Sequence, residues 1–303
     1  MARLIVTGAS GFLGANFVHE STSDHEVVAV THQHRMGFKH IQEEIIDLTV
    51  EEEIHRLFEN LHPDAVVNCA AGTAIDELEH NPQLAMLLNC EMAGYLARTA
   101  REHHARFIHF STDAVFSGDE GNYSELDQPE PVNQYGKSKV AGEELVLREY
   151  PQALIIRTNI FGWSPGWKDT LAEWFIGQLE SGRRVPGFTD THFSPILVND
   201  LARMTLELID RALNGIIHIP GADCVSKYEF GVRIARALGL SPNRVNKVTS
   251  ESADFIAPRP RITCLCGDKI EHFLDAKLPT LDEGIRRLFE LRDQGYLETI
   301  RVT

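Results

Sequence analysis

The chain opens on a short apolar run, Arg3 to Thr7 (RLIVT), and the same texture returns at intervals. It recurs at Glu26 to Thr31 (EVVAVT), Ala65 to Asn68 (AVVN), Arg106 to Ser111 (RFIHFS) and Ala153 to Arg157 (ALIIR), with Glu43 to Ile46 as a shorter candidate. Runs that are apolar nearly throughout, rather than alternating, predict strands covered on both faces, as in a parallel sheet. Between them lie segments of helical periodicity with readable starts. Thr49 stands three residues before Glu52 in a capping-box arrangement, Asn81-Pro82 opens a helix to about His103, and Asn133 opens one to about Arg148. This alternation predicts an α/β fold, a doubly wound parallel sheet of Rossmann type.

Past Arg157 the texture changes. Glycine and proline thicken in FGWSPGW and VPGF, and helical segments stand apart at 170–181, 199–213, 227–239 and 281–294, with Ile216 to Ile219 as a further strand. The expected organisation is a dinucleotide-binding domain over 1–160 with returns near 191–222. A smaller, discontinuous substrate lobe is expected over 161–190 and 223–303.

Two local patterns carry chemistry. Gly8, Gly11 and Gly14 in TGASGFLG follow the first strand and open a helix. There the chain must turn sharply, bring bare backbone against a pyrophosphate, and offer it a helix N-terminus. The second strand ends without the acidic residue that usually holds the ribose 2′-hydroxyl of NAD; Thr31, His32, His34, Arg35 and Lys39 follow instead. A basic loop favours NADP(H), with NAD(H) as the alternative, against the plainer reading of a solvated loop. Tyr135 and Lys139, four apart in NQYGKSK, share one helix face. A lysine cation beside a phenol draws its pKa down toward the range useful for acid–base catalysis. By itself the spacing is common among exposed helical pairs.

Composition narrows the field. The 303 residues are 43% hydrophobic and 24% charged with net charge −15, which argues against nucleic-acid or anionic-membrane partners. No apolar run approaches the roughly 20 residues that span a bilayer, and the start lacks signal-peptide architecture. Cysteines 69, 90, 224, 264 and 266 form no even framework, and Cys264 and Cys266 suit alternate strand positions better than a zinc site. The expectation is a reduced, cytoplasmic protein without a bound metal.

With these pieces placed, the sequence resembles the extended short-chain dehydrogenase/reductases, and within them the dTDP-4-dehydrorhamnose reductase branch. The resemblance rests on TGASGFLG at 7–14, VVNCAAGTAIDELE at 66–79, FSTDAVFSG at 110–118, PVNQYGKSKVAGEE at 131–144, IIRTNIFG at 155–162 and FSPILVNDLA at 193–202. It implies an NADPH-dependent reductase of a keto group on a nucleotide-linked deoxysugar, with Thr112, Tyr135 and Lys139 catalytic and Lys139 also holding the nicotinamide ribose. It further implies cofactor contacts from Phe12, Leu13, Asp47, Leu48, Ala70 and Ala71, a substrate pocket including Thr73, Asp113, Ala114, Asn159 and Arg259, and a homodimer. Ala114 stands where the branch commonly has tyrosine, and the stretch from Arg157 to Gly162 is one residue shorter than in the rhamnose enzymes. These departures bear on which sugar is bound. An epimerase, or a cofactor-binding regulatory subunit like the reductase-like partner of methionine adenosyltransferase, are the alternatives.

Overall fold

In the computed structural model, which describes residues 2–38, 40–211 and 213–301, seven parallel strands form the central sheet. They are β1 (Arg3–Thr7), β2 (Glu26–Thr31), β3 (Gln42–Ile45), β4 (Ala65–Asn68), β5 (Arg106–Thr112), β6 (Leu154–Thr158) and a last strand, Gly215–His218. From one edge the order runs last strand, β6, β5, β4, β1, β2, β3. The chain therefore reverses direction across the sheet between β1 and β4, and a crevice opens at their carboxyl ends, where open α/β sheets bind ligands. The seven strands read from the sequence are all present, with ends shifted by at most a residue.

The near-continuous apolar runs arise because both faces are covered. On β1, Leu4 and Val6 join Phe17, Ile108, Ile156, Leu201 and Ile217 on one side. Ile5 faces the other way, with Ile54, Phe58, Leu96, Phe107 and Ile155. The covering helices of this half are α1 (Phe12–Ser21), α2 (Glu51–Leu61), α3 (Ile75–His80), α4 (Pro82–Met86), α5 (Met92–Glu102) and α6 (Gln134–Glu149). Between α4 and α5 the helix widens into a π turn, Leu87–Glu91, so the single helix read from Pro82 to about His103 carries an inserted turn. The capping box at Thr49 does not form. Val50 is the N-cap of α2, one residue later than the sequence suggested. Thr49 instead donates through its hydroxyl to Asp47 (2.7 Å), while Glu53, rather than Glu52, accepts the Asp47 amide (2.7 Å).

A second apolar core gathers Phe161, Trp163, Phe175, Val185, Phe193, Phe230, Leu281, Leu288 and Tyr296. It unites α7 (Leu171–Glu180), α9 (Lys227–Ala237), α11 (Leu281–Asp293) and α12 (Tyr296–Ile300) with strand pairs such as Val185–Phe188 and Val245–Val248, while α8 (Val198–Ile209) and α10 (Asp268–Leu274) pack on the first core. Capping boxes at Thr170, Ser226 and Thr280 start α7, α9 and α11. The last helix reaches back to the first. Tyr296 donates to Asn16 Oδ1 (2.7 Å) and accepts from Asn199 (2.9 Å), and Asn16 donates to the Trp163 carbonyl (2.9 Å).

The reduced state expected of the cysteines is corrected here. Cys224 and Cys264 form a disulfide, with Cα atoms 5.5 Å apart, while Cys69, Cys90 and Cys266 are free. The sequence hides the pair because 40 residues separate its members and only folding brings the loop after the last strand against the 263–266 segment. Cys264 is accordingly in no strand; its neighbour Leu265 makes a single bridge to Tyr123. Among the described residues no helix is long and apolar enough to cross a membrane.

Candidate active site

The glycine turn connects β1 to α1. Gly8 has φ +62°, and a Cβ there would lie 2.7 Å from the Ala70 backbone; one on Gly14 would lie 2.2 Å from the Gly8 carbonyl oxygen. Only glycine lets turn, sheet and helix approach this closely. No side chain caps α1, so its first N–H groups stay available to an anion. These features fit a dinucleotide pyrophosphate.

Gly11, Phe12 and Leu13 form one end of a cleft of about 670 Å³. Its walls include Ala71 and Thr73 after β4, Thr112 at the end of β5, Tyr135 and Lys139 on α6, and Asn159 after β6. The loop 164–169 closes one side, and Trp167 stacks on His34 with ring centroids 4.3 Å apart.

Local structure explains why Tyr135 meets Thr112. Asn133 caps α6 by accepting from Gly136 N (2.8 Å) and anchors the cap by donating to the Pro258 carbonyl (2.8 Å). A Cβ on Gly136 would come within 2.4 Å of the Ala114 carbonyl oxygen, so the helix start rests on the turn after β5. On a neighbouring helix, Asn89 in the π turn accepts from Gly72 N (2.8 Å) and donates to Ser138 Oγ (3.0 Å). The widened helix thereby links the β4 loop to the helix carrying Tyr135 and Lys139.

The electrostatics differ from the simple expectation of a lysine-activated phenol. Burial pushes Tyr135 up to about 12; the Thr112 hydroxyl works against this and the Asp113 charge adds to it. Desolvation of the phenolate is the larger effect. Burial also pulls Lys139 down to about 8, opposed by Glu143 and Cys69. Lys139 Nζ donates to the Phe110 carbonyl (2.7 Å) and lies 3.4 Å from His109 Nε2. Behind Thr112, the buried Asp113 accepts from Asn159 Nδ2 (2.8 Å), Thr112 Oγ1 (3.2 Å) and Thr263 Oγ1. Burial raises its pKa against those hydrogen bonds. This carboxyl ties the ends of β5 and β6 to the C-terminal segment.

Other residues singled out from the sequence lie elsewhere. Thr31 is buried, while His32 and Arg35 are exposed beyond β2, with His32 3.9 Å from Asp47; Lys39 lies outside the described residues. Leu48 is in the core beneath that loop, and Ala70 backs the glycine turn. Ala114 and Arg259 do not line the cleft. Arg259 is engaged by Asp76 (2.8 Å) and lies over Phe255. The tryptophans divide: Trp163 is core and donates to the Leu288 carbonyl (2.8 Å), whereas Trp167 is half exposed at the cleft.

Sequence reasoning missed His109, Asn68, Asn89 and the buried pair Glu143–Arg157. For His109, Asn68, Asn89 and Arg157 the available signal was polarity within or at the end of apolar runs; Glu143, beside a second glutamate, carried none.

The family described as the RmlD substrate binding domain matches residues 2–293. A probable low-salt glycan biosynthesis reductase of Haloferax volcanii is 34% identical over 288 residues, covering 93% of this chain and 96% of the relative. A dTDP-4-dehydrorhamnose reductase of Mycobacterium tuberculosis is also 34% identical, over 86% of this chain and 82% of its own. Among solved structures, a dTDP-4-dehydrorhamnose reductase from Bacillus anthracis in complex with NADP superposes with TM-score 0.85 at 26% identity, covering 95% of this chain and 99% of that one.

Proposed function

Since the chain belongs to the RmlD substrate binding domain family, within the extended short-chain dehydrogenase/reductases, we propose that it is an NADP(H)-using reductase of a keto group on a nucleotide-linked deoxysugar. It is an NAD(P)-dependent oxidoreductase by descent, as its reductase relatives are. The observation that carries the reading is the single cleft joining an uncapped, glycine-lined helix start to Thr112, Tyr135 and Lys139.

A bound nicotinamide supplies the hydride. Tyr135 delivers its phenolic proton to the carbonyl oxygen, Thr112 polarises that oxygen, and the Lys139 ammonium stabilises the phenolate left behind and holds the cofactor ribose. The raised pKa of Tyr135 keeps it protonated near neutrality, which suits the reductive direction. Preference for the phosphorylated cofactor is supported by the absence of an acid after β2 and by the exposed Arg35.

The substrate is a keto-sugar nucleotide other than dTDP-4-dehydrorhamnose, or that compound in a different pose. Asn159 on the cleft wall and the shortened 157–162 stretch support this reading. Ala114 supports it less directly, because it removes the ring that the branch commonly has there while itself standing off the wall.

NADPH oxidation with dTDP-4-dehydrorhamnose and a panel of keto-sugar nucleotides tests both parts. Tyr135→Phe should lose turnover by about 10²–10⁴-fold with NADPH binding retained, and near-normal kcat would overturn the mechanism. A kcat/KM of about 10⁴ M⁻¹s⁻¹ or more on dTDP-4-dehydrorhamnose would overturn the altered-substrate part.

A further inference from the structure

The loop that leads into α7 is tied to the nucleotide-binding half at two separate points. At its root the Trp163 carbonyl accepts from Asn16 on α1 (2.9 Å), and a Cβ on Gly162 would lie 3.4 Å from the Phe12 ring at the start of the same helix. The Thr170 hydroxyl donates to the Gly162 carbonyl (2.7 Å), which draws the two ends of the loop together. At its tip Trp167 stacks on His34, three residues beyond β2, with ring centroids 4.3 Å apart and planes within 22°. A dinucleotide on a glycine turn lays its pyrophosphate at the helix start and its adenosine ribose at the end of β2. The loop runs from one of these landmarks to the other, across the path of the phosphates.

Charge on the cleft wall is scarce. Among the described residues lining it, only Lys139, Lys168 and Asp169 carry any. Lys139 is committed to the nicotinamide end, where its ammonium donates to the Phe110 carbonyl. Lys168 is exposed, and no side-chain hydrogen bond or ion pair engages it among the described residues. An uncapped helix start offers roughly half a positive charge, whereas each phosphate of a pyrophosphate brings a negative one. The chain as a whole carries −15, so compensation has to be local.

We propose that this loop is part of the cofactor site: Lys168 is the cation that meets the dinucleotide pyrophosphate, and the Trp167–His34 stack holds it there. The proposal rests on the dinucleotide site assigned above and adds residues to it from beyond β6. The rival recipient of Lys168 is the diphosphate of a nucleotide-sugar substrate. The anchoring favours the cofactor, because Asn16 and His34 belong to α1 and to the β2 loop, the two elements that border the dinucleotide. Trp167 is then a positioning residue. It is half exposed and lines the cleft, and its contact with His34 sets where the next residue, Lys168, stands.

Calorimetric titration of NADPH and NADH into wild type, Lys168→Met, Lys168→Arg, His34→Leu and the double variant His34→Leu/Lys168→Met tests this. Lys168→Met should weaken both cofactors about tenfold, the low end for a bond between charged groups. It should also flatten the fall of affinity with added salt, and Lys168→Arg should stay near wild type. His34→Leu should weaken both cofactors about threefold, the scale of one aromatic pair. In the double variant it should add little, since the stack acts through the lysine. Three results overturn the proposal: cofactor affinities unchanged in Lys168→Met, even with a raised KM for the keto-sugar nucleotide; a loss confined to NADPH; or a His34→Leu effect that adds in full to Lys168→Met. A wild type that binds neither dinucleotide would instead overturn the cofactor site itself.

Discussion

Arg157 is among the largest fully buried side chains, at 2% exposure, on β6. Its guanidinium grips Glu143 through Nε at 3.0 Å and Nη2 at 2.6 Å and lies over the Phe116 ring, 5.1 Å from its centroid. Glu143 also accepts from Ser111 Oγ, so one carboxylate joins β5, β6 and α6 within a turn of Lys139. Arg157→Met keeps volume but strands the carboxylate in an apolar layer. Removing one partner of such a pair costs about 3–5 kcal/mol, whereas replacing both with apolar groups is often near neutral. At roughly 2.1 cal/mol/K of unfolding entropy per residue, a chain of 303 residues loses about 1.6 °C of Tm per kcal/mol. Arg157→Met should therefore melt about 5–8 °C below wild type, and Arg157→Met combined with Glu143→Leu should recover most of that. Scanning calorimetry on the three proteins decides it. A single variant within about 1 °C of wild type, or a double variant no better than the single one, would refute the reasoning.

Paired titrations should find NADPH bound more tightly than NADH, with the preference reduced in Arg35→Ala; equal affinities in both proteins would remove the argument from the β2 loop. Opening the Cys224–Cys264 link by Cys224→Ser should cost about 4 kcal/mol on the chain-entropy view of a loop of some 40 residues, seen as a Tm lower by about 6 °C. A Tm unchanged by reductant in wild type would contradict the link's contribution. Sedimentation at micromolar protein should find a homodimer; a monomer there would refute the expectation drawn from the family resemblance.

The sheet was legible because parallel strands buried on both faces leave unbroken apolar runs; the edge strand β3, QEEI, is polar and not buried, and it was readable only as a shorter candidate. The glycine turn was legible for a similar reason: position relative to β1, not composition, identifies it. Thr112, Tyr135 and Lys139 do share one cleft. What lay beyond the sequence were relations between distant segments. Arg259 looked free to meet the substrate, yet Asp76, 183 positions earlier, already holds it. Ala114 is two residues from Thr112, but the tight turn directs its carbonyl at Gly136. His109 looked like one polar residue in an apolar strand, and only the placement of α6 shows that it addresses a lysine. The capping box at Thr49 failed for a local reason, since Asp47 offers Thr49 a closer acceptor than the helix does.

The hydrogen-bonded meeting of Tyr296 with Asn16 and Asn199 has a consequence for how the protein can be divided. Alpha/β enzymes of this kind are often treated as a nucleotide module with a detachable substrate module. Here the helix that presents its N-terminus to the cleft is fastened by a phenol belonging to the final helix, and Asn16 is wholly buried. A chain cut after the sixth strand would leave Asn16 without the Tyr296 hydroxyl and without the Trp163 carbonyl. The helix that starts at the cleft therefore completes its surroundings only when the last segment is in place. A fragment ending after β6 is expected to lack the bonds that hold this helix start in place, and the glycine turn depends on the last residues of the chain for its setting.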